Sequence, residues 1–147
     1  MWVSRAHGWG PDRRVVPAST ASAYSIRVTA LQSRDEPVAH RPVLETFENP
    51  GVARVELTSD ELTAICPLTG HPDMYVATIE YRAHRLCLES KSLKLYLGAF
   101  RNEGAFCEAL AVQIRDDVAR ALELAAGDVT VTLRQKGRGG ITITATA

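Results

Sequence analysis

Residues 105–133 read AFCEALAVQIRDDVARALELAAGDVTVTL, and this stretch decides the fold. Along residues 105–124, apolar side chains recur every three or four positions, on one stripe. They are Phe106, Leu110, Ile114, Val118, Ala121 and Leu122. This spacing predicts an amphipathic helix. After Gly127 and Asp128, apolar residues alternate with threonines over residues 129–133. The stretch therefore predicts a helix followed directly by a half-buried strand.

Working outward, the same patterns predict four further elements. Residues 135–140 form a glycine-rich turn, and residues 141–145 alternate as a final strand. Upstream, Ser90 is a candidate cap for a short helix over residues 91–100. Alternation predicts strands over residues 53–57 and 74–82.

The element order strand, strand, helix, helix, strand, strand predicts an α+β fold. We expect an antiparallel four-stranded sheet with both helices on one face. Residues 43–147 form this domain, whereas the breaker-rich residues 1–42 predict a disordered or poorly ordered N-terminal extension. One small sheet leaves a face or its edges exposed, so we also expect symmetric homo-oligomers.

Composition indicates a single cytoplasmic domain that acts on a small partner. The chain has 147 residues, and 17 basic residues balance 17 acidic ones, so no net charge favours nucleic acid or a membrane surface. No apolar run is long enough to cross a membrane. The three cysteines, Cys66, Cys87 and Cys107, cannot all pair internally, which fits a reducing compartment.

The loop over residues 63–73 holds the strongest candidates for chemistry. Cys66 precedes Pro67, outside any alternating core position, so its thiol is a candidate nucleophile, and Asp73 could exchange protons beside it. The alternative is an inert cysteine and a turn residue. Cys87 lies in an apolar run and is expected to be buried. The cysteine and histidine spacings carry no zinc signature, so we expect no metal.

Three basic residues are candidates for binding phosphate. Lys91 and Lys94 share one face of the short helix, and Arg138 lies in the glycine-rich final turn. A solvated basic face is the alternative interpretation. No Gly-x-Gly-x-x-Gly segment follows a strand, so a dinucleotide would need a different kind of site.

Three motifs resemble the QueF family of nitrile reductases. They are Glu89-Ser90-Lys91-Ser92-Leu93-Lys94-Leu95-Tyr96, then Phe100-Arg101-Asn102, and the loop Cys66-Pro67-Leu68-Thr69-Gly70-His71-Pro72-Asp73. The resemblance extends over about residues 48–143. It implies the tunnelling fold, whose ββααββ subunits assemble into rings, here as two stacked pentamers.

The resemblance also implies a reaction. Cys66 would add to the nitrile of 7-cyano-7-deazaguanine as a thioimidate, NADPH would supply two hydrides, and Asp73 would carry protons. The product would be 7-aminomethyl-7-deazaguanine, a precursor of queuosine in transfer RNA, with no direct contact to nucleic acid. The remaining implied roles fall into two sets. Substrate binding is implied for Glu89, Ser90, Phe106, Cys107 and Glu108, and NADPH binding for Lys91, Lys94 and Arg138.

One departure from the family pattern concerns Cys107. The family has histidine at this position, and a thiol is a weak hydrogen-bonding group and a poor proton relay. A disulfide between Cys66 and Cys107 under oxidation is one hypothesis for its role. Two other functions stay open: an amidine-forming relative that uses ammonia instead of hydride, and a non-catalytic paralogue that binds a purine or pterin.

Overall fold

The computed structural model of the chain describes residues 41–147. The prediction of a poorly ordered extension falls on residues 1–42, and all but the last two of these lie outside the described residues. The described elements, in chain order, are β1 (Thr46–Glu48), β2 (Arg54–Ile65), β3 (Pro72–Arg82), β4 (Leu86–Leu88), α1 (Ser90–Ala99), α2 (Cys107–Leu122), β5 (Val129–Gln135) and β6 (Thr144–Thr146). Single 3-10 turns at Phe100–Asn102 and Ala126–Asp128 connect them.

Four of the strands form one antiparallel sheet in the order β2-β3-β5-β6. Together with the two helices this confirms the α+β fold and the predicted order of the main elements. A second sheet of two strands, β1 and β4, was not predicted. Each of its strands has only three residues, which is too short for alternation to stand out from its surroundings.

The core lies between the sheet and the helices. On β3, alternate residues from Asp73 to Tyr81 are buried, and on β5 Val131 and Leu133 are fully buried. On α2, Leu110, Ile114 and Val118 have no exposed surface. Burying each such aliphatic side chain contributes about 1.5–3 kcal/mol. The apolar stripe predicted on this helix is therefore the face that packs against the sheet.

Several predicted boundaries were wrong. The strand predicted over residues 53–57 continues to Ile65, because a bulge between Ser59 and Leu62 breaks the alternation that marked it. The last strand begins at Thr144, since residues 138–141 close the hairpin with an isolated bridge. Ser90 does not cap α1. Instead Glu89 caps it, accepting hydrogen bonds of 2.7 Å from the backbone N–H groups of Lys91 and Ser92.

Arg41 anchors the start of the described chain. Its guanidinium donates two hydrogen bonds to the Glu103 carboxylate, of 3.0 and 2.5 Å, and lies 4.5 Å above the centre of the Phe100 ring. Paired charges with an aromatic contact fix the chain beside the turn that joins α1 to α2. Within residues 41–147, neither helix combines the length and the hydropathy that a membrane span requires.

Candidate active site

A short loop holds Cys66 at the end of β2. The Cys66 N–H donates to the His71 carbonyl (2.8 Å), and the Gly70 N–H donates to the Cys66 carbonyl (2.9 Å). Gly70 has φ = 70°, a left-handed conformation that glycine adopts without steric cost. Just before the loop, Ile65 exchanges backbone hydrogen bonds of 2.8 and 3.1 Å with Glu103 and Ala105. These bonds place the loop beside the chain that enters α2.

The Cys66 thiol is half-buried and activated. Burial acts most strongly and opposes ionisation, but hydrogen bonds from Thr69, from the Leu68 backbone and from Arg138 act together in the other direction. The net effect lowers the pKa of Cys66 below that of an ordinary thiol. Because the thiolate is the nucleophilic form, this environment favours reaction at sulfur near neutral pH.

Asp73 and Arg138 form an ion pair beside Cys66. The Asp73 side chain, at the start of β3, is only 6% exposed, and Arg138 Nη2 contacts its Oδ1 from the hairpin between β5 and β6. This approach lies outside hydrogen-bond geometry, so Oδ1 has a charge partner but no hydrogen-bond donor. The hairpin turns through Gly139 and Gly140, both at positive φ, which brings the arginine back over the sheet edge.

Tyr75 belongs to the same site, although the sequence patterns did not single it out. Its ring is fully buried and its hydroxyl has no hydrogen-bond partner among the described residues. Burial, then the charges of Asp73, Cys107 and Cys66, raise the pKa of Tyr75 far above that of a free tyrosine, against a small opposing effect of Arg138. The hydroxyl therefore stays protonated. Its only sequence signal was its position two residues after Asp73.

Cys107 lies at the first turn of α2 and is buried. Its thiol is directed at the Leu133 carbonyl, with an S···O distance of 3.8 Å. Burial, followed by the charge of Glu108, raises the pKa of Cys107 to about 11. Cys107 is therefore a neutral thiol at pH 7. It, Cys66 and Cys87 are all unpaired in the structure.

The other predicted site residues lie apart from this cluster. Ser90 and Lys94 line a cavity of about 410 Å³ together with Arg101, and its lining includes neither Cys66 nor Arg138. Glu108 lines an open depression of about 650 Å³ along α2. Phe106 precedes α2 as its N-cap residue, and Lys91 is exposed. One chain therefore unites Cys66, Asp73, Arg138 and Cys107, whereas Ser90, Lys94 and Glu108 line other cavities.

The chemical groups of the cluster indicate which reaction it can support. Within the described range, no group of three or more histidine, cysteine or acidic side chains converges as metal ligands would. The cluster instead supplies one activated sulfur, one buried carboxyl group and one cation. This set suits nucleophilic addition to an electrophilic carbon with proton transfer to the atom next to it.

Comparison with known proteins places the chain in a family. The family described as QueF-like protein matches residues 72–147. A protein of Chlorobium phaeovibrioides (strain DSM 265 / 1930) named NADPH-dependent 7-cyano-7-deazaguanine reductase is 42% identical over 110 residues, covering 73% of this chain and 93% of the relative. A protein of Frankia casuarinae with the same name is 45% identical over 105 residues, or 71% of this chain and 82% of the relative.

The fold also has a solved counterpart. The crystal structure of the archaeosine synthase QueF-Like in the apo form superposes with a TM-score of 0.59 and 21% sequence identity, over 66% of this chain and 93% of the other. At that identity the likeness shows the fold alone. The family match and the two curated relatives carry the assignment, and they confirm the resemblance read from the motifs. This chain belongs to the QueF family.

Proposed function

We propose that this chain reduces the nitrile of 7-cyano-7-deazaguanine to the primary amine of 7-aminomethyl-7-deazaguanine, on the route to queuosine in transfer RNA. The observation that carries the proposal is the activated thiol of Cys66 next to the buried Asp73–Arg138 pair. It occurs in a chain that is 42% identical to a protein named for this reduction.

Cys66 would begin the reaction by adding to the nitrile carbon. A carbon–sulfur bond forms, one of the two π bonds between carbon and nitrogen breaks, and its electron pair moves to nitrogen. The nitrogen then takes a proton, which gives a thioimidate. Asp73 pairs with Arg138, which also reaches the sulfur, and Asp73 would pass the proton released by the Cys66 thiol to that nitrogen. A covalent intermediate divides one difficult reduction into two easier steps.

Arg138 has two contacts that support a role at the reacting centre. Its guanidinium pairs with Asp73, and its hydrogen bond helps to lower the pKa of Cys66. It is also 40% exposed, so the same side chain can face a bound anion. We therefore assign Arg138 to charge balance at Cys66 and Asp73, and retain the NADPH phosphate as a second contact.

For the substrate, we assign Glu108 to the guanine-like edge, since a carboxylate accepts two hydrogen bonds from such an edge. Phe106 and Cys107 lie directly before it at the start of α2 and would line the ring. Glu89 and Ser90 complete the proposed set. The cap that Glu89 forms on α1 already uses both of its oxygens, though each retains a free lone pair.

The residues present fit part of an NADPH molecule. Lys94, Arg101 and Ser90 line the cavity of about 410 Å³, where two cations and a hydroxyl can contact a phosphate group, although Asp60 and Glu61 line it too. Lys91 lies on the same helix and would add a third cation. Two NADPH molecules, bound one after the other, would supply the two hydrides that a nitrile needs to become an amine.

Assembly would explain why the proposed residues are separated within one chain. Among the described residues, no strand pairs with the outer edge of β6 or with that of β2, where only the last residue, Ile65, is bridged to Gly104. Unpaired sheet edges are sites for association. We propose a ring of subunits, two stacked pentamers in all, that brings the Lys94 cavity of one subunit to Cys66 of a neighbour. The free thiols fit the reducing cytoplasm.

The test is a reductase assay with 7-cyano-7-deazaguanine and NADPH, combined with intact-mass detection of the Cys66 adduct. We expect two NADPH oxidised per amine formed, and loss of both adduct and oxidation in Cys66→Ala. Adduct without NADPH oxidation, but with an amidine product when ammonia is added, would support the amidine-forming alternative. Neither adduct nor turnover, with tight binding of the nitrile, would indicate a binding paralogue.

A further inference from the structure

The Tyr75 hydroxyl is the buried polar group that the proposed reaction does not yet use. It lies on β3 with no exposed surface and without a hydrogen-bond partner among the described residues. A buried hydroxyl that makes no hydrogen bond destabilises a fold, and native proteins contain few of them. The position therefore calls for a reason other than packing.

The surroundings of the hydroxyl point to Asp73. The two residues lie two apart on the same buried face of β3, which separates them by about 6–7 Å along the strand. The titratable and charged groups that act on the hydroxyl come from four elements: Asp73 on the strand, Cys107 on α2, Cys66 on the loop and Arg138 on the hairpin. Among these, the Asp73 charge acts most strongly.

The Asp73 carboxyl group in turn lacks a hydrogen-bond donor among the described residues, and the Tyr75 hydroxyl can be that donor. Its Oδ1 accepts no hydrogen bond, and the Arg138 contact reaches that oxygen outside hydrogen-bond geometry. Cys107 cannot replace the tyrosine as donor, because its thiol is directed at the Leu133 carbonyl and a thiol donates weakly. Tyr75 is the strong neutral donor that remains beside this carboxyl group in the described part of the chain.

We propose that Tyr75 is a positioning residue for Asp73, and that its hydroxyl donates a hydrogen bond to the Asp73 carboxyl group during the reaction. This inference rests on the proposed function. In the step that forms the adduct, the proton moves from Asp73 to the nitrile nitrogen, while Tyr75 keeps its own proton. The hydrogen bond fixes the orientation of the carboxyl group.

The experiment compares Tyr75→Phe with Tyr81→Phe, a matched change on the same strand and face. The Tyr81 hydroxyl already accepts a hydrogen bond of 2.9 Å from the Leu88 N–H, away from Cys66. For each protein we would measure the rate of Cys66 adduct formation and of NADPH oxidation across pH, and the thermal midpoint Tm.

We expect Tyr75→Phe to lower kcat and the adduct rate about 10- to 100-fold, the effect of one hydrogen bond to a charged group. KM for the nitrile should stay within about threefold, since Tyr75 is not one of the residues proposed to bind the ring of the substrate. The pH profile of the adduct rate should differ in shape from that of the wild type, because the proton-transfer group loses a hydrogen-bond donor. Tm should be unchanged or higher, whereas Tyr81→Phe should lower Tm and keep kcat.

The inference is overturned by a Tyr75→Phe protein with unchanged adduct rate and unchanged pH profile. A lower Tm with those values unchanged overturns it too, since that pattern marks a structural tyrosine. A wild-type protein that forms the adduct but oxidises no NADPH contradicts the proposed function alone, because the Tyr75 effect is read on the adduct step. No adduct in the wild type contradicts both.

Discussion

At the scale of single residues, reactivity in this protein is a property of the neighbours of Cys66 rather than of the cysteine itself. All three cysteines are free, yet the surroundings of Cys66 and Cys107 shift the pKa of the two thiols in opposite directions. Hydrogen bonds lower the pKa of Cys66 against the effect of burial, and burial raises the pKa of Cys107 to about 11. A thiol-directed reagent near neutral pH should therefore distinguish them.

Replacing Thr69 tests the origin of that difference. The Thr69 hydroxyl stabilises the Cys66 thiolate, so Thr69→Val should raise the pKa of Cys66 and move its alkylation by iodoacetamide to higher pH. At neutral pH we expect a severalfold slower reaction, because less thiolate is present. Peptide mass spectrometry gives the rate for each cysteine, and Cys107 is the internal control. If the alkylation rate of Cys66 depends on pH in the same way in the wild type and in Thr69→Val, Thr69 does not lower the pKa of Cys66.

Arg138 should matter for stability as well as for turnover. Asp73 is buried, so Arg138→Gln leaves a carboxyl group without its charge partner and should cost about 1–3 kcal/mol, less than in a fully buried pair because Arg138 is 40% exposed. We also expect kcat to fall by about tenfold or more. Urea unfolding and steady-state kinetics measure both effects.

Lys136→Gln is the control for Arg138, since Lys136 is an exposed cation on the same hairpin. It should change the unfolding free energy by less than about 0.5 kcal/mol. If Arg138→Gln raises only the KM for NADPH and leaves kcat and stability unchanged, Arg138 is a phosphate contact and does not act at Cys66 and Asp73.

At the scale of elements, α1 combines a structural and a proposed binding task in Glu89. The carboxylate satisfies two N–H groups that the first turn of a helix leaves unpaired. Hydrogen bonds from the Lys91 and Ser92 backbones, opposed by a smaller effect of desolvation, lower the pKa of Glu89. The cap is therefore strongest when this group is ionised.

Glu89→Ala should lower Tm by a few degrees near neutral pH. Because the folded pKa is lowered, the stabilisation is present above the pKa of the unfolded state and is lost as pH falls through the folded value. The difference in Tm between wild type and variant should therefore shrink in acid. Thermal scans at several pH values measure it. An unchanged Tm with a higher KM for the nitrile would show that Glu89 acts in binding and not as a cap.

At the scale of the whole molecule, two exposed apolar side chains lie on the segment that leads into the edge strand β6. They are Ile141 (71% exposed) and Ile143 (37%). The Gln135 N–H donates to the Ile143 carbonyl (2.9 Å) and the Ile141 N–H donates to the Arg138 carbonyl (3.3 Å), which holds this segment against β5 beside Arg138. Exposed apolar groups next to an open sheet edge indicate a surface that is covered in solution.

Ile141→Asp should therefore dissociate the assembly and reduce turnover together, because a buried charge at a subunit contact is costly. Sedimentation velocity gives the mass, and the reductase assay gives the activity. Val52→Asp is the control. It also places a charge at an exposed apolar residue, but Val52 lies near the opposite end of β3. If the wild type and Ile141→Asp both sediment as monomers and both remain active, the proposed ring is wrong.

The sequence by itself determined what depends on near neighbours. The helical stripe from Phe106 to Leu122, the strand alternation after Gly127 and the loop from Cys66 to Asp73 were all readable, because periodicity and turn chemistry are set by residues a few positions apart. These patterns predicted the α+β fold, and the motifs indicated the family that comparison then confirmed.

Only the tertiary structure decided which of those residues meet. Strand pairing and the hairpin carry Arg138 to Asp73, and the face of β3 turns the Tyr75 hydroxyl into the same site. The short β1–β4 pair also depends on it. The reason is physical: register, bulges and hairpin closure join residues far apart in the chain, and no local pattern records such contacts.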